Sequence, residues 1–253
     1  MAANLSGVIA AIATAVDERC EPDCARSVAL ARFLLAHGCD GLNVLGTTGE
    51  ATSFSVAERL KLMRAYREAE LPLGRMMVGA GAAALDDAVA LTREAAELGF
   101  GGVLTLPPFY YKGVSDEGLV AYVRALVDAT AASRLPIYLY HFPAMSGVPW
   151  SLAVIARLRE AFGRRIAGVK DSSGDLAFVR AAAALSADFK VFPSNEAALM
   201  EQGPFAGCIS ATANLNADLC ARGLHGRDRG ALDQAVAIRK LFEASRSSPA
   251  SRP

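Results

Sequence analysis

The chain has 253 residues, of which 53% are hydrophobic and 21% are charged, and its formal net charge is zero. This length fits one large α/β barrel or two ordinary domains, and the apolar share is sufficient for a substantial core. Because there is neither an excess of positive charge nor a basic block, nucleic acid and acidic membrane surfaces are poor candidates as partners.

No secretory or membrane segment is predicted. The first residues lack a basic region followed by an apolar one, and no run of about eighteen apolar residues occurs. The cysteines are odd in number and lack metal-ligand spacing, so we expect reduced thiols in a soluble, cytoplasmic protein. They are Cys20, Cys24, Cys39, Cys208 and Cys220.

A repeating unit runs along the chain, consisting of an apolar run, a polar or glycine-containing turn and an amphipathic stretch. The apolar runs recur about every thirty residues and predict eight strands, at 8–13, 41–45, 76–80, 102–106, 136–140, 166–169, 189–192 and 207–211. The stretches between them predict helices at 23–37, 55–70, 85–98, 115–132, 151–162, 175–185, 195–202 and 214–223.

Capping residues support several of these helices. Ser55 with Glu58 three residues later is typical of a capping box, and glycines follow the ends of two other helices. Eight strand–helix units with almost wholly apolar strands predict a (β/α)8 barrel. We place the barrel at residues 1–226, an extra C-terminal helix at 227–245 and a disordered tail at 246–253.

A doubly wound open sheet is the alternative fold. Its support is GAGAAA at residues 79–84, a GxGxxA match between a predicted strand and a predicted helix, as in dinucleotide-binding proteins. That fingerprint also requires an acidic residue at the end of the next strand, which here ends in LTLP. We therefore interpret these residues as a small-residue barrel loop and predict no cofactor.

Lys170 is the first candidate for chemistry, because it follows four apolar or small residues at 166–169 and precedes a polar turn. A lysine at the end of a buried strand lies at the rim of an apolar interior, which disfavours the charged ammonium form. A neutral amine attacks carbonyl groups and forms a Schiff base. The alternative is a lysine whose head group simply reaches solvent from a strand end.

Other strand ends matter because function in such barrels lies at the C-terminal ends of the strands. The GTTGE loop at 46–50 offers hydroxyls and backbone N–H groups that suit a small anion, although an ordinary turn has the same composition. Tyr140 ends the strand next to that of Lys170, which favours acid–base chemistry over packing alone. If Tyr140 points into the barrel, His141 points toward the helices and is structural. The three histidines lie in different kinds of element, so we predict no metal site.

Three of these motifs together resemble the dihydrodipicolinate synthase/N-acetylneuraminate lyase family of class I aldolases. They are GTTGE at 46–50, YHFPAMSG at 140–147 and GVKDSSG at 168–174. The likeness covers nearly the whole chain, from GVIAAIAT near its start to ISATANL at 209–215. The resemblance implies a lyase that handles pyruvate through a Schiff base and needs no metal.

The resemblance also implies roles for individual residues. Lys170 is similar to the Schiff-base lysine of the family, and Tyr140 to its acid–base tyrosine. Thr47 and Thr48 are similar to the pair that holds the pyruvate carboxylate and relays protons. Tyr111 matches a tyrosine that, in the synthases, reaches across a dimer interface into the neighbouring site, which implies a homodimer or homotetramer. The other substrate-binding residues implied are Gly46, Met145, Ser194 and Ile209.

Two features depart from the family pattern. The lysine-pathway synthases carry an arginine two residues after the proline of the tyrosine motif, where it holds the carboxylate of the aldehyde substrate. Here that position is Met145, which cannot form a bidentate ion pair, so the motif is closer to sugar-acid lyases and 2-keto-3-deoxy acid aldolases. Family members also continue for several helices after the barrel, and we therefore expect a shortened C-terminal helical extension.

The resemblance thus implies an enzyme whose partners are pyruvate and an aldehyde or 2-keto acid. We predict a lyase that acts on a 2-keto-3-deoxy sugar acid or a similar aldol through an iminium at Lys170 and an enamine. The alternative activity is 4-hydroxy-tetrahydrodipicolinate (dihydrodipicolinate) synthase. A barrel that binds a keto acid without turnover is the remaining hypothesis.

Overall fold

The computed structural model describes residues 5–201 and 204–247 of the chain. Within these ranges, eight parallel strands alternate with helices in a nearly closed (β/α)8 barrel that is followed by a C-terminal helix, which confirms the predicted fold. None of the helices in this part of the chain combines the length and the apolarity needed to cross a membrane.

The strands are short and lie side by side in the order β7-β6-β5-β4-β3-β2-β1-β8. The strands at the two ends of this order are β7 and β8. They approach each other near Ala206, whose N–H donates to the carbonyl oxygen of Val191 in β7 at 3.0 Å. The strands are β1 (Gly7–Ala11), β2 (Gly41–Val44), β3 (Met76–Gly79), β4 (Gly102–Thr105), β5 (Ile137–His141), β6 (Ile166–Asp171), β7 (Lys190–Pro193) and β8 (Gly207–Ser210).

Local capping fixes where several helices begin and end. At the start of the second helix, Ser55 Oγ accepts from the Glu58 N–H and the Glu58 carboxylate accepts from the Ser55 N–H, so the predicted capping box is present. The helices are α1 (Cys24–Ala36), α2 (Val56–Glu68), α3 (Leu85–Leu98), α4 (Asp116–Ala129), α5 (Pro143–Ser146), α6 (Leu152–Phe162), α7 (Leu176–Ala183), α8 (Ala213–Gly226) and α9 (Arg229–Ser247).

Strand alternation sorts the apolar side chains into two cores. Those that point outward pack under the helices, whereas those that point inward fill the barrel. Gly102 and Gly168 leave room inside for the ring of Tyr138, since a Cβ at either glycine would lie within about 3 Å of ring atoms. The buried apolar side chains of the inner core are Leu5, Ile9, Ala11, Met77, Leu104, Tyr138, Tyr140, Phe192 and Ile209.

An irregularity between β5 and β6 sets the register at the mouth of the barrel. Ile137 pairs with Ile166, but the next residue of β5 pairs with Gly168, so β6 carries one extra residue, Ala167. This extra residue makes Tyr140 and Lys170 direct Cα partners. Because side chains alternate with a period of two, a one-residue change of register decides which residues share a face.

The structure differs from the sequence prediction at three elements. The helix predicted at 195–202 is a five-residue 3₁₀ turn, Glu196–Met200, capped by the side chain of Asn195. The unpredicted α5 has only one turn, which is too short to give a hydrophobic period. The predicted tail begins at residue 246, but α9 continues through Ser247, and the rest of the tail lies outside the described residues.

Candidate active site

The C-terminal ends of the strands open into a cavity of about 700 Å³, here called the lysine cavity because Lys170 lines it. A second cavity of about 360 Å³, the side cavity, adjoins it and shares Thr47, Glu50, Tyr140 and Met145 with it. The lysine cavity is lined by seven of the predicted site residues, namely Lys170, Tyr140, Thr47, Thr48, Met145, Ser194 and Ile209.

Lys170 is held inside the mouth of the barrel by β6. Lys170 as a whole is only 4% exposed, which argues against the alternative in which the head group reaches open solvent. The Nζ atom lies 4.4 Å from the centroid of the Tyr140 ring, so the amine faces an aromatic surface rather than a carboxylate. This position places the amine at the wall of the lysine cavity.

Tyr140 connects Lys170 to two hydroxyl groups. The Tyr140 hydroxyl lies 3.4 Å from Ser172 Oγ and 3.5 Å from Thr47 Oγ1, which makes both long hydrogen bonds. Burial of Tyr140 opposes its ionisation, but the nearby positive charge of Lys170 and these hydrogen bonds outweigh burial and lower the pKa of the phenol. The phenol is therefore easier to deprotonate than an ordinary tyrosine.

The turn after β6 is built on Asp171. This buried carboxylate accepts hydrogen bonds from the N–H and the hydroxyl of Ser173 and from the N–H of Gly174. The N–H of Ser172, in turn, donates to the carbonyl oxygen of His141 at 2.8 Å, which links the ends of β6 and β5. These bonds hold Ser172 at the position from which its hydroxyl meets Tyr140.

The GTTGE loop at 46–50 is shaped by unusual backbone conformations at both ends. Leu45 has a φ of 53° and Glu50 a φ of 49°, in the left-handed region. Gly79 permits the close approach of this loop, because a Cβ there would lie 2.0 Å from the Leu45 carbonyl oxygen. The loop is thus fixed against β3 while its two threonines face the lysine cavity.

A buried arginine on α2 supports the strand beside this loop. Arg59 donates to the carbonyl oxygens of Gly79 at 2.6 Å and Gly81 at 3.2 Å. Burial lowers the pKa of this guanidinium to about 10, so it remains charged at neutral pH. Arg59 thus supplies hydrogen-bond donors to the carbonyl oxygens at the end of β3 and just after it.

Two of the predicted site residues lie outside the lysine cavity. Gly46 lines the side cavity instead. Tyr111 lines neither cavity; it is 78% exposed, and its ring packs edge-on against Tyr110 with 5.1 Å between the centroids. Within one chain, Tyr111 is therefore not part of the site.

Met145 lies between the two cavities and lines both of them. Met145 belongs to α5. Lys112, in the loop between β4 and α4, links that loop to the backbone of α5. The Lys112 amine donates to the carbonyl oxygens of Phe109 and, at 2.8 Å, of Ser146. Lys112 thus holds two loops together and lines neither cavity.

Helix α9 contributes three residues to the lysine cavity that sequence reasoning missed: Arg239, Phe242 and Glu243. Arg239 Nη1 lies 3.1 Å from the carboxylate of Glu196, which is fully buried and also accepts from Ser210 Oγ. No sequence signal could have found Arg239, because its helix lies outside the repeating unit. Ser172, in contrast, has a signal, since it lies two residues after Lys170 on the same inward face.

His141 lies outside the site, on the outer side of β5. Its Nδ1 accepts from the Trp150 N–H at 3.1 Å, and its ring stacks on Phe178 at 4.2 Å. Burial lowers the pKa of this imidazole, although Asp171 and Asp175 oppose the effect.

Among the described residues, no three histidine, cysteine, aspartate or glutamate side chains are grouped as metal ligands.

The side cavity is more apolar than the lysine cavity. Its only charged lining residue, within the described ranges, is Glu50, and Lys170 does not reach it. The apolar residues of its wall are Leu45, Ala51, Leu104, Leu106, Phe109 and Met145.

Comparisons with known proteins agree on one family. The model of the dihydrodipicolinate synthetase family matches residues 4–244. A protein from Chloroflexus aurantiacus, named an uncharacterized DapA-like lyase, is 45% identical over 147 residues, which are 57% of this chain and 48% of that protein. The 4-hydroxy-tetrahydrodipicolinate synthase of Rhodospirillum centenum is 35% identical over 231 residues, 90% of this chain and 75% of that enzyme.

A solved structure extends the likeness to three dimensions. The dihydrodipicolinate synthase of Agrobacterium tumefaciens str. C58 superposes with a TM-score of 0.83 and 30% sequence identity, over 92% of this chain and 83% of that chain. The chain spans about half the length of the Chloroflexus relative and about three quarters of the Rhodospirillum enzyme.

Proposed function

We propose a function from one premise: the chain belongs to the dihydrodipicolinate synthetase family. It acts as a pyruvate-dependent class I aldolase, a lyase that cleaves or forms a carbon–carbon bond of a 2-keto acid through a Schiff base. The observation that carries this proposal is the buried amine of Lys170, which faces the ring of Tyr140 inside a cavity at the C-terminal ends of the strands.

In the cleavage direction, the neutral Lys170 amine attacks C2 of a 4-hydroxy-2-keto acid, and uptake of one proton with loss of water gives a cationic iminium. The electron pair of the C3–C4 bond moves toward the iminium while the C4 hydroxyl loses its proton. The products of this step are an aldehyde and an enamine. The enamine is protonated at C3, and water then hydrolyses the iminium to release pyruvate and the free amine.

Tyr140 takes the proton of the C4 hydroxyl and returns a proton to C3 of the enamine. Its position supports this role, because it lines the same cavity as Lys170 and its hydroxyl contacts Thr47 and Ser172. The lowered pKa of the phenol also suits a group that must accept a proton near neutral pH. Thr47 relays protons between Tyr140 and the substrate.

The pyruvate moiety binds between the GTTGE loop and β7 and β8. Thr48 and Thr47 donate hydrogen bonds to its carboxylate, and Gly46 leaves the backbone of the loop open to it. Ser194 and Ile209 form the opposite wall of the pocket. The support is that all of these residues except Gly46 line the lysine cavity.

The substrate is a 2-keto-3-deoxy sugar acid or a similar aldol without a charge on its aldehyde portion. Met145 offers no charge where the synthases carry an arginine. Lys112 cannot replace that arginine from its present position, because its amine is bound to two backbone carbonyls. Apart from Lys170, Arg239 is the one cationic side chain among the described residues of the lysine cavity, and it is paired with acids.

The second candidate function is 4-hydroxy-tetrahydrodipicolinate synthase, in which pyruvate condenses with aspartate semialdehyde. It is favoured by the similarity to the synthase of Rhodospirillum centenum over most of the chain. The enzyme would use the same iminium and enamine in the direction of condensation. The two candidates differ in whether the site holds a second carboxylate.

We further propose a homodimer or homotetramer in which Tyr111 serves a neighbouring site, supported by the exposure of Tyr110 and Tyr111.

A cytoplasmic location is supported by five cysteines that form no disulfide. We also propose the division into a barrel at residues 1–226 and an extra C-terminal helix, which was predicted at 227–245 and is α9 (Arg229–Ser247) in the structure. Residues 248–253 of the proposed disordered tail lie outside the described residues.

Pyruvate release tests the proposed function. The purified protein is incubated with 2-keto-3-deoxygluconate, and separately with pyruvate and aspartate semialdehyde, while a parallel sample with pyruvate is reduced with borohydride. We expect an adduct of pyruvate on the protein and release of pyruvate from the sugar acid. An adduct without turnover of either mixture would support the barrel that only binds a keto acid. Absence of an adduct would contradict the Schiff-base proposal.

A further inference from the structure

We propose that Arg239 and Glu243, both on α9, bind the hydroxyl groups of the aldehyde portion of the aldol, so that this helix selects an uncharged, polyhydroxylated substrate. The inference rests on the proposed aldolase function and adds specificity-determining residues from outside the barrel. Neither residue belongs to a motif by which the sequence resembles its family.

Covalent attachment places the reacting end of the substrate in the lysine cavity. The iminium ties C2 of the substrate to Lys170, which lines the lysine cavity and not the side cavity. The carboxylate end of the substrate lies at Thr47 and Thr48. We place the remaining carbons in the same cavity, whose wall on the α9 side consists of Arg239, Phe242 and Glu243.

Arg239 is anchored at the wall of the lysine cavity by several contacts. Nη1 donates to the carbonyl oxygen of Ser194 at 2.5 Å and lies 3.1 Å from the Glu196 carboxylate. Nε lies 2.8 Å from the Glu243 carboxylate. These contacts use Nη1 and Nε, and the side chain as a whole is only 17% exposed. The planar fork of Arg239 is therefore pre-organised at the wall of the lysine cavity.

The charges around Arg239 favour hydroxyl groups over a carboxylate. One guanidinium faces two carboxylates, the buried Glu196 and the more exposed Glu243, and Glu50 lines the same cavity. A substrate carboxylate at this end would meet an excess of negative charge. A hydroxyl group, in contrast, both accepts from a guanidinium and donates to a carboxylate, so neighbouring hydroxyls of a substrate match the two kinds of side chain present here.

The test compares two substrates that share the reacting atoms. Both 2-keto-3-deoxygluconate and 4-hydroxy-2-oxopentanoate have the C4 hydroxyl and the 2-keto acid, but only the first carries further hydroxyls. The ratio of their kcat/KM values reports recognition of the distal hydroxyls independently of Schiff-base chemistry. We expect the native protein to prefer 2-keto-3-deoxygluconate.

Arg239→Lys and Glu243→Gln are the informative variants. Arg239→Lys keeps a cation beside buried Glu196, so the variant avoids an unpaired buried carboxylate, but it loses the fork that reaches the substrate. We expect each variant to lower the ratio of kcat/KM values about tenfold, as for a hydrogen bond to a charged group. Lys240→Met, on the exposed side of the same helix, is the matched control and should keep the native ratio.

Two results would overturn the inference. The first is an unchanged ratio in both Arg239→Lys and Glu243→Gln. The second is native protein that cleaves 4-hydroxy-2-oxo-4-phenylbutanoate more efficiently than the sugar acid, because this would place the aldehyde portion in the apolar side cavity. In both cases borohydride still traps pyruvate on Lys170, whereas failure of the proposed function itself would abolish that adduct.

Discussion

Tyr140 and Lys170 are direct Cα partners on neighbouring parallel strands, and the Lys170 amine lies 4.4 Å from the centre of the Tyr140 ring. The proposed nucleophile and the proposed proton acceptor are thus coupled by charge as well as by position. The positive charge on Lys170, which an iminium would preserve, helps to lower the pKa of the phenol.

Lys170→Ala should abolish turnover and borohydride trapping of pyruvate while leaving the circular dichroism spectrum unchanged, because only the nucleophile is lost. The adduct on the native protein is located by digestion and mass spectrometry. Lys61→Ala, an exposed lysine on α2, is the control and should trap pyruvate normally. Labelling at a lysine other than Lys170 would refute the mechanism.

Tyr140→Phe should lower kcat for aldol cleavage by about 10²–10⁴, the usual contribution of a positioned acid–base group. Trapping of pyruvate should persist, since the amine of Lys170 remains. Tyr138→Phe is the matched control, because Tyr138 also points into the barrel from β5 and burial raises its pKa to about 12. Near-native kcat in Tyr140→Phe would show that another group carries the proton.

Ser172→Ala should move the acid limb of the kcat/KM profile to higher pH. The rate rises with pH as Tyr140 loses its proton, and the hydrogen bond from Ser172 favours the ionised form. Removal of that bond raises the pKa of Tyr140, so a higher pH is needed for the same activity. A hydrogen bond of about 1 kcal/mol corresponds to a displacement of roughly 0.7 pH units.

The measurement is a pH series of kcat/KM for the native protein and for Ser172→Ala. Ser173→Ala is the comparison variant, because the Ser173 hydroxyl bonds to Asp171 and not to Tyr140. An acid limb that moves equally in both variants would indicate a general disturbance of the turn after β6 rather than an effect on the phenol.

Met145→Arg should increase kcat/KM for the condensation of pyruvate with aspartate semialdehyde, because it adds a guanidinium at the junction of the two cavities. Met145 is 64% exposed, so an arginine fits there without displacing the core. A bidentate pair with the semialdehyde carboxylate provides the gain. Met145→Leu, which adds no charge, is the control and should stay at the native level.

The native protein itself should condense pyruvate with aspartate semialdehyde weakly or not at all. An efficient native reaction that Lys112→Ala abolishes would show that Lys112 takes the place of the arginine. That result would require Lys112 to leave the carbonyl oxygens of Phe109 and Ser146, to which it is bound here. It would assign the chain to the synthase branch.

Most of the barrel could be predicted because its signals are local. Each apolar run and each amphipathic stretch is recognisable within about ten to fifteen residues, and α3 has the predicted bounds. The short α5 and the 3₁₀ turn Glu196–Met200 were not predicted correctly, since one turn of helix has too few residues to show a period. Lys170 and Tyr140 could be singled out because both stand where an apolar run meets polar residues.

The sequence by itself determined the eight strands, most of the helices between them and the residues that stand at the strand ends, because these depend on neighbours along the chain. Only the tertiary structure decided which side chains meet. The extra residue Ala167 in β6 brings Lys170 opposite Tyr140. The Arg239 guanidinium joins the lysine cavity by binding the carbonyl oxygen of Ser194, 45 residues away along the chain. Such contacts depend on how separate segments pack against each other, which no local pattern records.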